Sequence, residues 1–258
     1  MKYALIGEKL GHSYSKIIHE KYFKLKKLNC TYDLIEIEKD NLKNRIFQMK
    51  KEGYVGYNVT IPYKIDIMNM CDDVFDEALK IGSVNTVKYE NGKMIGYNTD
   101  YHGLKLALQA HDVDVKNKKV VILGTGGASR AVCALCEDLN CSEIVFVSRE
   151  IKTDLGFDCI TYDDVISGDV IINTTPVGMY PRTEYTPLTD FSGFETAVDL
   201  IYNPDETLFL KLAKNSGLKT VNGLYMLVAQ AVYAESIWQN IDTQFEIISN
   251  IYNEMRGE

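Results

Sequence analysis

A chain of 258 residues with 46% hydrophobic content can fill one large core or two modest ones. Single cores stop growing at roughly 250–300 residues, so two domains are expected. Its 36 acidic and 28 basic residues leave a net charge of −8, which argues against phosphate-backbone binding as the main task, and no nucleic-acid partner is expected. The sequence holds no apolar run of about eighteen residues and no signal-peptide pattern after Met1, so the expectation is a cytoplasmic chain without a membrane span.

In chain order, KYALIG reads as a strand, residues 16–28 as a helix, TYDLIEI as a strand, residues 41–51 as a helix and YVGYNVT as a strand, a βαβαβ opening. The first thirty residues carry seven lysines against Glu8 and Glu20, which reads as a solvated helix face or as local attraction for a small anion. Pro62 suits the first turn of the next helix. VNTVKYE and KMIGYNT flank Asn91-Gly92, a dipeptide that tolerates the positive φ of a type I′ turn, and so predict a hairpin. Residues 101–110 have helical periodicity, and the polar stretch HDVDVKNKK reads as a boundary.

A second alternating series follows: KKVVILG, a helix over 128–139, SEIVFVS, DVIINTT, TAVDLIY, a helix over 206–215 and LKTV. Near-continuous apolar strands belong to a parallel sheet covered on both faces. Helices over 224–239 and 243–255 end the chain, and at least one is free to pack back on the first domain. The expected fold class is α/β with two α/β domains: residues 1–100, completed by 224–258, form an open sheet, and residues 101–223, with a linking helix, form a Rossmann-like parallel sheet. The six cysteines are scattered, as in a chain with reduced thiols. Cys133 and Cys136 form a CxxC inside a predicted helix without a second ligand pair, so they are read as core and no metal is expected.

VVILGTGGASRAV places Gly124, Gly126 and Gly127, followed by Ala128, between an apolar strand and a helix. Glycines there permit a tight turn and bring backbone N–H groups close to a pyrophosphate, whose charge the helix N-terminus favours. That context points to a dinucleotide-dependent oxidoreductase. The absence of Lys-Ser/Thr after the glycines argues against a P-loop. The next strand ends at Ser148-Arg149, where NAD enzymes usually carry an acid, and Arg149 suggests a 2′-phosphate instead. INTTPVGM ends a later strand with Asn173 and Thr174, which read equally as cofactor contacts or as turn chemistry.

Polar clusters also mark strand ends in the first domain: HSYS with Ser13 and Ser15, YNVTIPYK with Asn58, Thr60 and Lys64, VNT with Asn85, and YNTD with Asp100. Hydroxyl and amide side chains at one sheet edge suit a ligand that is mostly hydroxyl groups, and a helix start after HSYS favours a carboxylate. Taken singly, Ser15 and Asp100 read as helix caps and Asn85 as a turn residue. Lys64 and Asp100 are the lysine and carboxylate attached to these clusters, and such a pair can relay the proton that alcohol-to-ketone hydride transfer needs. The four histidines (His12, His19, His102 and His111) are read as structural or solvent-facing, with no partners for His102 and His111.

Together GEKLGHSYSKIIH, GYNVTIPYK, IGSVNTV, GYNTDYHG, LGTGGASRA, INTTPVGM, DLIYNP and NGLYMLVAQA resemble the shikimate dehydrogenase family, in family order from Ile6 to the last helix. The resemblance implies two α/β domains with a cleft between them and reversible NADPH-dependent reduction of 3-dehydroshikimate to shikimate, in aromatic amino-acid biosynthesis. It implies that Ser13 and Ser15 hold the substrate carboxylate, that Asn58, Thr60, Asn85 and Asp100 bind hydroxyls, and that Lys64 is catalytic with Asp100. Tyr202 and Gln230 match further substrate contacts. Gly124, Gly126, Gly127 and Ala128 match the pyrophosphate turn, Ser148 and Arg149 the adenosine end, and Asn173, Thr174, Met179, Gly223 and Met226 the nicotinamide end. The family's usual signature carries a second arginine where this chain reads Ser148-Arg149-Glu150-Ile151-Lys152-Thr153, so NADP is expected over NAD by a reduced margin. A monomer or homodimer is expected. Two other readings stand beside this one: an NAD-dependent quinate or quinate/shikimate dehydrogenase, and a non-catalytic dinucleotide-binding regulator, which has no reason to keep both Lys64 and Asp100.

Overall fold

A computed structural model describes the chain except for His12, Asp154, Leu155, Val165 and Glu258. Its contacts divide the chain into two compact units, Met1–Gly103 with Val228–Glu258, and Leu104–Leu227. The divisions fall within two helices, α5 (Asp100–Ala110) and α8 (Leu224–Gln239), rather than in the polar stretch after residue 110.

Unit 1 opens as β1 (Lys2–Gly7), α1 (Ser15–Leu25), β2 (Thr31–Glu36), α2 (Leu42–Lys51) and β3 (Tyr54–Val59). Short elements follow: α3 (Lys64–Met68), β4 (Asp73–Val74) and α4 (Asp76–Ile81), and then the hairpin β5 (Thr86–Glu90) and β6 (Lys93–Tyr97). The sheet order is β2-β1-β3-β5-β6-β4, with β2, β1 and β3 mutually parallel and β5 antiparallel to both β3 and β6. Asn91 and Gly92 take φ of 51° and 80°, as a type I′ turn requires. Pro62 lies in the turn ahead of α3 rather than in its first turn, because that helix starts only at Lys64.

After β1's first residue, every position is buried, as befits a central strand covered on both faces. Ala4 and Ile6 join Ile46, Met49, Tyr57, Tyr63 and Ile67 in one core layer. Tyr3 faces the other way, stacked on Trp238 of α8 with ring centroids 4.5 Å apart. The Trp238 indole N–H donates to the Val87 carbonyl at 2.9 Å and lies over Gly56. From Val228 on, α8 belongs with α9 (Phe245–Arg256) to the first unit, which is therefore discontinuous in sequence.

Unit 2 runs through β7 (Lys119–Leu123), α6 (Gly127–Asp138), β8 (Glu143–Ser148), β9 (Asp158–Thr161), β10 (Val170–Asn173), β11 (Thr196–Asp199), α7 (Leu208–Asn215) and β12 (Lys219–Val221). The sheet is parallel throughout, in the order β12-β11-β10-β7-β8-β9. That is the doubly wound order, with its switch point between β7 and β10, where such sheets bind ligands at their carboxyl ends. Phe191, Phe194, Phe209 and Leu210 cover one face over Val121, Leu123, Val147 and Ile171. Cys133 and Cys136 are buried in α6, as core packing requires. Among the described residues no helix is long and apolar enough to cross a membrane, and no group of three or more side chains is placed to hold a metal ion.

The contact of Trp238 with Gly56 gives a test of this packing. A Cβ on Gly56 would come within 2.4 Å of the indole nitrogen and 2.8 Å of the Val87 carbonyl oxygen. Gly56→Ala should cost about 1–3 kcal/mol through overpacking, seen as a lower urea midpoint at an unchanged slope. An unchanged midpoint would show that α8 is not seated on the sheet as described.

Candidate active site

The polar strand ends of unit 1 meet at one edge because β3 ends there, β5 begins there and β6 ends there, with Asn58, Thr86 and Tyr97 in register. Asp100, the first residue of α5, is only 8% exposed. Lys64 Nζ lies 2.5 Å from its Oδ2, and Asn85 Nδ2 donates to its Oδ1 at 2.8 Å. The Asp100 N–H donates to Asn98 Oδ1 at 3.1 Å, and Asn98 is itself anchored to Ser83. Both carboxylate oxygens of Asp100 are thus engaged by other side chains.

Asn85 is fixed on both sides: its Oδ1 accepts from the Thr99 N–H at 2.7 Å and from the Thr86 hydroxyl at 3.0 Å. Gln230 of α8 accepts from the Thr99 hydroxyl at 3.2 Å, which ties this helix to the same network. Asn58 is buried, accepting from Tyr32 at 2.7 Å and donating to Thr86 at 2.9 Å. Thr60 and Lys64 keep partial exposure beside it. Ser15 is the first residue of α1, and the Ser13 hydroxyl accepts its N–H at 3.2 Å and donates to its hydroxyl at 3.1 Å. The Ser15 hydroxyl is thus no cap, and the two side chains form a pair of neighbouring hydroxyls at a helix start.

Several supporting residues carried no sequence signal. Tyr32, which holds Asn58, is stacked on the His19 ring at 4.0 Å, and His19 Nδ1 lies 2.6 Å from Glu235 Oε1 with both side chains fully buried. His102, expected to lack partners, pairs with Glu77 at 3.0 Å and stacks on Tyr233. His111 lies 2.9 Å from the Ala107 carbonyl. His12 falls outside the described residues.

In unit 2 the glycine turn has the expected form. Gly124 takes φ +97°, and a Cβ there would strike Thr175 and Thr174. Gly126 is the N-cap of α6 without a side-chain cap, and the space where its Cβ would point is open. Gly127 and Ala128 begin the helix and are partly exposed, so uncapped first-turn N–H groups face a cradle that fits a pyrophosphate. At the end of β8, Ser148 is buried while Arg149, Glu150 and Lys152 are exposed. Thr174 donates to the Leu123 carbonyl at 2.6 Å, and Met179 is 45% exposed. Gly223 has no room for a side chain, since a Cβ would lie 2.1 Å from the Leu200 carbonyl oxygen; its N–H donates to Ile201 beside the partly exposed Tyr202, and Met226 follows, buried, in α8.

Asn173 departs from the expectation of a cofactor contact. It is fully buried, with Nδ2 donating to Asp199 at 3.0 Å and Oδ1 accepting from the Thr175 N–H and hydroxyl. Asp199, opposite it in register, also accepts from the Ile201 N–H and from Thr207, the cap of α7. One carboxylate therefore holds the loops after β10 and β11. Burial pushes the Asp199 carboxyl up to about 7, only partly opposed by these donors. Its pKa being higher folded than unfolded, it favours folding most below about pH 4, and that contribution is lost as pH rises through about 7. Asn at this position can accept from Asn173 and Ile201 and donate to the Thr207 oxygen, with no charge to desolvate. The stability of Asp199→Asn relative to the parent should rise from pH 5 to pH 8 in thermal melts, and a constant difference would contradict the shift.

Known proteins resemble this chain over its whole length. Residues 5–87 match the family model described as the shikimate dehydrogenase substrate binding domain. The shikimate dehydrogenase (NADP(+)) of Clostridium beijerinckii is 43% identical over 265 residues, covering 99% of this chain and 98% of that protein. The crystal structure of a chorismate mutase/shikimate 5-dehydrogenase fusion protein from Clostridium acetobutylicum superposes with a TM-score of 0.95 at 43% identity, covering 99% of this chain and 97% of that one. Shikimate 5-dehydrogenase from Thermus thermophilus, solved in complex with NADP(H) and shikimate, gives a TM-score of 0.89 at 29% identity over 98% and 99% of the two chains. With near-complete coverage at this identity, the chain belongs to the shikimate dehydrogenase family.

Proposed function

We propose that this chain is a cytoplasmic NADP-dependent shikimate dehydrogenase that reversibly reduces 3-dehydroshikimate to shikimate, a step of aromatic amino-acid biosynthesis. The observation that carries the reading is the Lys64–Asp100 pair at 2.5 Å, braced by Asn85 at a sheet edge rich in hydroxyl and amide groups. Unit 1 then holds the substrate and unit 2 the dinucleotide. When bound, NADPH supplies the hydride and NADP takes it up. Lys64 Nζ gives a proton to the new alcohol oxygen during reduction and receives it during oxidation, while Asp100 holds the ammonium in place and shares the proton. The hydroxyls of Ser13 and Ser15, at the α1 N-terminus, bind the carboxylate, whose charge the helix end favours. Thr60 and Asp100 face the substrate hydroxyls. Asn58 and Asn85, whose amides are engaged within the protein, shape the same wall and fix its donors. Gln230 adds a further substrate contact. A regulator without activity has no use for a lysine and a carboxylate held in this way.

Two kinetic tests follow. Lys64→Ala should lower kcat by about 10²- to 10⁴-fold with the KM for shikimate within a few-fold, because the lost group acts mainly in the transition state. A variant keeping more than about a tenth of the parent's kcat would remove Lys64 from the proton relay.

The second concerns the cofactor. Arg149 is exposed directly after β8 and suits the 2′-phosphate of NADP, and Glu150 beside it opposes that charge. Arg149→Ala should weaken kcat/KM for NADP by roughly 10- to 100-fold and leave that for NAD nearly unchanged, the loss expected for a charge-assisted hydrogen bond of about 1.5–3 kcal/mol. Unchanged cofactor preference would favour the NAD-dependent quinate/shikimate alternative.

A further inference from the structure

The end of α6 brings two cysteines together by backbone geometry. Asn140 takes a left-handed φ of 57°, its N–H donates to the Glu137 carbonyl at 3.0 Å, and the Cys141 N–H donates to the Cys136 carbonyl at 3.1 Å. These two bonds make a Schellman motif, which sets the side chains three residues inside the helix end and two residues beyond it against each other. An apolar contact usually fills that place. Here both residues are cysteines. Cys136 is fully buried, whereas Cys141 is partly exposed and flanked by exposed Asn140 and Ser142.

We propose that Cys136 and Cys141 form a reversible oxidation site, at which a hydroperoxide oxidises Cys141 and Cys136 then closes a disulfide. The asymmetry of the pair assigns the two roles. The neighbouring Cys136 thiol lowers the pKa of Cys141, while Cys141 and burial raise that of Cys136. In the first step the Cys141 thiolate attacks the terminal hydroxyl oxygen of the hydroperoxide, the O–O bond breaks and the alkoxide leaves (hydroxide from hydrogen peroxide), so that sulfur is oxidised to sulfenic acid and the peroxide is reduced. In the second the Cys136 sulfur attacks the Cys141 sulfur, the S–O bond breaks, and the hydroxyl leaves with the Cys136 proton as water. A thiol reductant reverses the bridge. The bridge joins residues already linked through the backbone, at the far ends of the helix and strand whose near ends carry Gly127 and Arg149.

The test is peptide mass spectrometry of the full chain after hydrogen peroxide, quenching and alkylation. Trypsin releases residues 131–149 as one peptide containing Cys133, Cys136 and Cys141. The expected product is lighter by two hydrogens, lacks backbone fragments between positions 136 and 141, and reverts with a thiol reductant. Cys133→Ser should bridge as the parent does. Cys136→Ser should instead accumulate sulfenic acid at Cys141, captured by a dimedone probe, and pass on to sulfinic acid. Cys141→Ser, at a partly exposed position, should give no bridge and leave Cys136 a thiol. A bridge between Cys133 and Cys136 would overturn the proposal. So would peroxide doses that oxidise Cys30 or Cys159 while Cys136 and Cys141 stay alkylatable, or over-oxidation of Cys141 equal in the parent and in Cys136→Ser.

Discussion

Asp100 is the group on which the order of unit 1's polar edge depends. One of its oxygens holds Lys64, from the start of α3, and the other holds Asn85, from the start of β5, while its own N–H is taken by Asn98. Two separate stretches of chain are thus fixed to one nearly buried carboxylate on a third. A carboxylate so placed would be costly if unpaired, and its partners keep it paired and hydrogen-bonded. Sheet topology makes the convergence possible: reversing direction from β3 to β5 and again to β6 returns each polar segment to the same edge.

Unit 2 solves a related problem with Asp199. In its all-parallel sheet every strand ends at the same side, so the loops after β10 and β11 leave together from the carboxyl edge. Asn173 and Asp199 lie directly opposite in the register and bond to each other, which turns both inward. The loops that follow are thereby held near the Gly124–Gly127 turn, where Met179 remains exposed.

Much of this was legible from residues alone. Strands such as β1 and β7 carry continuous apolar runs because both faces are covered, and Asn91-Gly92 announces its hairpin. The missed elements are those with little periodicity to read: β4 is two residues, α4 is six, and β9 is a half-exposed edge strand. At the site, Lys64 and Asp100 stood out because each ends a polar cluster at a strand end. The partners that hold the cluster did not, since Glu235 lies 216 positions from His19 and no local pattern encodes such a pairing. Asn173 misled for the same reason: a polar residue at a strand end reads as ligand-facing until the neighbouring strand supplies a buried acid.

The enzyme proposed above oxidises shikimate with NADP. The most direct measurement is the initial rate of nicotinamide reduction with shikimate or quinate, each offered with NADP and with NAD. Shikimate with NADP should be turned over with the highest kcat/KM of the four pairings. Faster use of quinate with NAD, or no reduction in any pairing by a folded chain that still binds NADP, would contradict it.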